Sequence, residues 1–146
     1  MRNENVTQSL NGLLADATLF YQKLRAMHWL VEGREFFALH GKFEALYNSW
    51  ADHIDDIAER ILTVGGKPLA TLANMLERAR IKEFAGSASG REMVEALVAD
   101  LEHIVAAAGE TISVAENAGD RGTANLLDGI RDEQEKTLWM LKAWLA

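Results

Sequence analysis

The sequence predicts an all-α fold, a four-helix bundle with a short extra helix in the long crossover between the second and third long helices. Three observations point there. The 146-residue chain is rich in Ala, Leu and Glu and has a single proline, Pro68, a composition that favours helix. Apolar residues recur at steps of three and four along four long stretches. Glycine-rich punctuation separates those stretches.

The first pattern starts near Val6 and passes through Leu10, Leu13, Leu14, Ala17, Phe20, Tyr21, Leu24 and Met27 to about Val31. Gly33 ends it, and Phe36 opens the second. That one runs through Leu39, Phe43, Leu46, Trp50, Ile54, Ile57 and Ile61 to Val64. Gly65 and Gly66 stop it, with Pro68 just beyond, the usual punctuation of a helix C-terminus. A short helical piece, TLANMLERAR, covers 71–80, and the loop GSASG follows at 86–90. The third long helix reads from about Arg91 to Ala118. NAGDRG breaks it, and the fourth runs from about Thr123 to Leu145. No repeat, linker or low-complexity segment interrupts the pattern, so one domain is expected over residues 1–146. The connection 65–90 is long enough to carry the chain from one end of the bundle to the other. Helices two and three can then run parallel, with a crossover of the kind used by ferritin-like bundles.

Composition narrows the function. There is no cysteine, which removes disulfides and thiolate chemistry and fits a reducing cytoplasm. The N-terminal MRNENVTQSL has no apolar signal region, and no apolar run is long enough to span a membrane, so a cytoplasmic location is expected. The net charge of −7 repels phosphate backbones unless a local basic patch exists.

The chemistry gathers on the second helix. His40 and Glu44 are an i,i+4 pair, and Asp55 and Glu59 are another. Glu44 and Asp55 are eleven residues apart, close to three turns of about 3.6 residues, so all four side chains share a stripe. Imidazole with carboxylates is a ligand set for iron, manganese or zinc. At about 1.5 Å of rise per residue the two pairs lie roughly 20 Å apart along the axis, too far for one ion. An antiparallel copy of the helix, related by a twofold axis near Ser49 and Trp50, would bring each pair opposite its complement. The stripe therefore predicts an isologous dimer with two identical shared sites. A turn at Gly33 would let His28 fold back to join His40. Against this stands the bland reading: a helical histidine among apolar residues is commonly structural, and an acidic i,i+4 pair is commonly a solvated face.

HWLVEGREFFALHGKFE at 28–44 and DHIDDIAERILTVGGKPLAT at 52–71 resemble the Dps family, the DNA-binding proteins from starved cells, which are small relatives of ferritin that assemble as hollow dodecamers. The resemblance extends from the first helix to the WMLKAWL ending. It implies a ferroxidase and iron-storage protein whose iron site lies at a dimer interface, with His28 and His40 from one subunit and Asp55 and Glu59 from the other. It implies hydrogen peroxide as oxidant, ferric oxide stored in the cavity and protection of DNA from oxidative damage. Glu44 stands where many members have Asp, a departure that bears on the second metal position. Trp29 matches a family tryptophan near the site, read either as packing or as a sink for oxidising equivalents. Ordinary ferritins instead use Glu-x-x-His inside one bundle, and no Glu here has a His three residues later.

Iron must also enter. Acids around the last long helix include Glu116, Asp120, Asp128, Asp132, Glu133 and Glu135, and a threefold ring of such groups would focus cations. Asp120 and Asp128 are the candidates for a pore. The family's usual aspartate near Asn125 is missing. His53 and His103 take structural readings. Direct DNA binding is not expected: no lysine-rich tail precedes the first helix, although association at low pH or through bridging magnesium stays open. The competing functions are a nucleoid DNA-binding protein whose metal site is secondary, a scaffold with a degenerate site, and a manganese or other di-metal oxidase.

Overall fold

The computed structural model describes residues 3–146. Among them are five helices: α1 (Glu4–Leu30), α2 (Phe36–Thr63), the short α3 (Leu72–Arg78), α4 (Gly90–Asn117) and α5 (Arg121–Leu145). The four long helices and the short one fall where the periodicity puts them. α2 starts at Phe36 as expected, whereas the starts of α1, α4 and α5 differ by one or two residues because side-chain caps decide them. Asn3 accepts the amide of Val6 and starts α1 at Glu4. Ser89 and Glu92 form a reciprocal capping box that starts α4 at Gly90. Asp120 accepts the amide of Thr123 and starts α5 at Arg121.

Cross-helix bonds give the directions. Ser9 meets Thr111 at 2.7 Å and Asp16 meets His103 at 2.9 Å, so α1 and α4 run antiparallel. His53 meets Glu133 and Arg60 meets Asp120, so α2 and α5 also run antiparallel. The turns at 31–35 and 118–120 reverse the chain within the α1–α2 and α4–α5 pairs. α2 and α4 are therefore parallel, and the segment 64–89 with α3 is the crossover that makes this possible.

Inside, Phe20 and Trp50 pack edge to face with ring centroids 5.6 Å apart, in a core that also holds the fully buried Leu10, Leu24, Phe43, Ile57 and Leu97. Burying each such side chain stabilises the bundle by about 1.5–3 kcal/mol before the entropy of ordering is counted. Asp16 is also fully buried, accepting the amide and guanidinium of Arg80 and the His103 Nε2 hydrogen. These contacts tie the crossover to α1 and α4. No helix of the described residues is long and apolar enough to cross a membrane.

Candidate metal centre

The α1–α2 turn builds the histidine half of the site. Gly33 has φ of 96°, a left-handed conformation that a side chain resists, and its carbonyl accepts the amide of Phe36 at 3.1 Å. The reversal lays the His28 ring on the His40 ring, with centroids 3.7 Å apart and planes 15° from parallel.

Each histidine holds the other in place. His28 Nδ1 lies 2.7 Å from the His40 carbonyl, and His40 Nδ1 lies 2.7 Å from the His28 carbonyl. A carbonyl oxygen only accepts, so each Nδ1 carries the hydrogen and donates it. In the neutral ring this leaves the lone pair on Nε2, the arrangement a metal-binding histidine needs. Phe36 stacks on the far side of His40, at 4.7 Å between centroids, and Tyr47 packs its ring edge to face with His28 at 5.4 Å. The imidazoles are fixed in tautomer and in plane by these contacts.

Glu44 joins them from one turn further along α2. Its Oε1 stands 3.8 Å from His28 Nε2, too far for a hydrogen bond, and its side chain is 53% exposed. Trp29 points outward, 56% exposed, with the Arg25 guanidinium 5.1 Å from its ring centre.

Asp55 and Glu59 lie exposed further down the same helix. The Glu59 carboxyl is pushed above its usual value, first by a hydrogen bond with Asp55, then by the Asp55 charge, with smaller contributions from burial and Asp56. Two carboxylates that repel one another are what a cation would relieve. Among the described residues of one chain, no three His, Asp or Glu side chains assemble into a group that could hold a metal ion. The histidine pair with Glu44 and the acid pair are two separate clusters on one chain.

The other predicted residues have partners inside the chain. Asp120 caps α5, accepts Thr123 Oγ1 at 2.6 Å and pairs with Arg60 at 2.8 Å. Burial pushes its carboxyl up, but the bonds from Thr123 and Arg60 outweigh this and leave it below the usual range. Asp128 is 47% exposed, with Arg131 at 3.4 Å. His53 and Ser49 both contact the Glu133 carboxylate, and His103 contacts Asp16. Sequence reasoning missed Phe36 and Tyr47 as neighbours of the histidines. Both were visible from spacing on α2, Phe36 four residues before His40 and Tyr47 three residues after Glu44.

A four-helix bundle whose long crossover makes its second and third long helices parallel is the architecture of the ferritin-like proteins, and the model of the ferritin-like domain matches residues 7–146. Within that class the likeness is narrow. The chain is 45% identical to DNA protection during starvation protein 2 of Bacillus anthracis, over 98% of each chain. A Dps protein from Bacillus brevis superposes with a TM-score of 0.97 at 44% identity, covering 100% of both chains. The Dps protein from Vibrio cholerae O1, described as a member of a broad superfamily of ferritin-like diiron-carboxylate proteins, superposes with a TM-score of 0.95 at 38% identity, covering 98% of this chain and 90% of that one. The chain belongs to the Dps family.

Proposed function

We propose that the protein is a ferroxidase and iron-storage mini-ferritin, oxidising Fe(II) at sites shared between two subunits and protecting DNA by removing iron and peroxide together. The observation that carries this reading is the reciprocal histidine clasp: two imidazoles locked with Nε2 lone pairs free, on a chain whose matching carboxylates lie too far away to reach them. A second copy, antiparallel about a twofold axis at the level of Ser49 and Trp50 along α2, supplies Asp55 and Glu59 to the partner's histidines. Trp29, Leu30, Leu62, Leu72 and Leu76 remain exposed, apolar area of the kind an interface covers. The assembly is a homo-oligomer built from such dimers, and a dodecamer follows from the family resemblance.

Iron is the substrate and the stored cargo. His28 and His40 bind it through Nε2, Asp55 and Glu59 contribute anionic oxygens that favour the ferric state, and Glu44 reaches a second ion directly or through water. Two irons held together give two electrons to one hydrogen peroxide, so no hydroxyl radical is released. The diiron-carboxylate character of the Vibrio cholerae relative supports this over a single-metal site. Of the two acids offered for the pore, Asp128 keeps its carboxylate more open to solvent, whereas Asp120 is engaged as a cap. Net charge −7 makes the protection chemical rather than by direct contact with DNA, in a cytoplasmic setting.

The test is the rate of Fe(II) oxidation on adding hydrogen peroxide, for the natural chain and for Asp55→Ala combined with Glu59→Ala. Loss of both carboxylates slows the rapid phase by more than about 100-fold, beyond the range for residues that only support a ligand. Equal rates in the two proteins would refute the shared site.

A further inference from the structure

The second helix carries metal-binding residue types on two faces. His40, Glu44, Asp55 and Glu59 occupy one. Ser49 and His53 occupy another, turned toward α5. Asp55 follows His53 by two residues, about 200° around the helix axis, so the two faces look in nearly opposite directions. Spacing alone reads His53 as structural. Its surroundings hold more than one hydrogen bond needs.

Four polar side chains meet where α2 faces α5. His53 Nε2 lies 2.5 Å from Glu133 Oε2, Ser49 Oγ lies 3.0 Å from the same oxygen, and Ser49 Oγ lies 3.3 Å from His53 Nε2. Gln134 donates its Nε2 hydrogen to that oxygen at 2.8 Å. Burial pushes the Glu133 carboxyl up, but the bonds from His53, Ser49 and Gln134 outweigh this and hold it in the ionised form that a cation needs. Gln134 is 2% exposed, yet its Oε1 has no hydrogen-bond partner. A buried acceptor without a donor points to a missing group. On the core side the buried Trp50 ring packs against His53 with centroids 5.2 Å apart, whereas the Glu133 side chain is 49% exposed and leaves a small ion a way in.

We propose that Ser49, His53 and Glu133 form a mononuclear site for a divalent transition cation, zinc(II) by preference, which bridges α2 to α5 apart from the histidine clasp. Ligand atoms held at about 2.0–2.2 Å from one ion lie roughly 3.0–3.4 Å from each other. The three atoms here stand near that spacing, and a slight opening of the His53–Glu133 contact admits the ion. His53 then carries its hydrogen on Nδ1 and presents the Nε2 lone pair. Water completes the coordination from the open side of Glu133. A water on the ion is a hydrogen-bond donor, the group that Gln134 Oε1 lacks. One imidazole among oxygens suits zinc, iron and manganese better than magnesium or calcium, and zinc stands above iron(II) and manganese in affinity. The inference does not rest on the ferroxidase reading, because the ion here is a bridge between helices and not a substrate.

The experiment dialyses the intact oligomer against low zinc(II) with magnesium in large excess, counts the bound zinc, and measures crystals of the same material at the zinc absorption edge. An anomalous peak between His53 Nε2 and the Glu133 carboxylate is expected, separate from any peak at His28 and His40. His53→Gln, whose amide still bonds Glu133, loses that peak and binds one zinc fewer per chain. Glu133→Gln raises the Kd of that zinc by more than about 100-fold, beyond the range for a residue that only supports a ligand. Peaks confined to the histidine clasp, a zinc count unchanged by His53→Gln, or displacement of the zinc by magnesium would each overturn the proposal. If His53→Gln does not assemble, the anomalous map of the natural chain decides alone.

Discussion

Halfway along α1, Asp16 and Lys23 are buried charges answered within the chain. At its end, His28 is a buried ring answered on one nitrogen only. Asp16 accepts from Arg80 and His103, and Lys23 meets Asp100 at 2.6 Å. His28 spends Nδ1 on a carbonyl and leaves Nε2 facing Glu44 across 3.8 Å, while Asp55 and Glu59 repel one another on the surface. Both regions are polar groups set among apolar helices. Complete pairing marks the first as architecture. Incomplete pairing, in groups of ligand type, is the feature on which the proposed shared metal site rests.

The largest expected effect breaks the architectural side. Asp16→Ala leaves His103 and Arg80 without their shared acceptor and should cost about 3–5 kcal/mol, read from urea unfolding. His28→Ala removes a single ring and one hydrogen bond and should cost less than half of that. Equal losses would erase the distinction between the two regions.

The Lys23–Asp100 pair sharpens it. Burial pushes the Asp100 carboxyl up, and Lys23 offsets that only in part. An ion pair held against its own desolvation can be replaced by packing. Lys23→Met with Asp100→Leu should leave stability unchanged or raise it by about 1–4 kcal/mol, while Lys23→Met alone destabilises. A double variant as unstable as the single one would mean that the charges do more than fill the bundle.

The site side depends on its hinge. Gly33→Ala forces a side chain into a left-handed backbone, costing about 1–2 kcal/mol. Because the same turn stacks the two histidines, metal affinity should fall about 10–100-fold, as for loss of a supporting group. Anaerobic titration with Fe(II) reads this directly. An unchanged affinity would show that the histidines find their register without the turn.

What was legible follows the same divide. The helices could be read because their apolar stripes are local and repeat. The ligand types could be read because His40, Glu44, Asp55 and Glu59 share one helix, where spacing fixes the face. Asp16 and Lys23 were lost in the stretch from Leu10 to Met27, because their partners lie far away: 87 residues separate Asp16 from His103. The histidine clasp was half visible. A fold-back at Gly33 followed from the glycine, but the exchange of carbonyls depends on turn geometry that spacing does not encode. Asp120 was read as an acid available for a pore. An N-cap reading competes with that one wherever Asp precedes a helix, and here Asp120 is also a cap.

Asp120 offers the smallest effect and the cleanest separation of charge from shape. Its carboxyl is held below the ordinary value of 3.8 by Thr123 and Arg60, against the upward push of burial. A depressed acid contributes stability that is fully present above its unfolded value and is lost as pH falls through its folded value. Asp120→Asn keeps a capping oxygen and loses only the charge, so it should be less stable at neutral pH by about 1 kcal/mol, the scale of one cap. Measured as urea midpoints against pH, the gap should hold from neutral down to about pH 5 and close below the ordinary carboxylate value, because the natural chain then loses the same charge. A gap that persists into strong acid would trace to shape at the cap. A gap absent at neutral pH would mean that the Arg60–Asp120 bridge adds nothing to the hold of α2 on α5, and that the Asp120 charge is not needed by the fold.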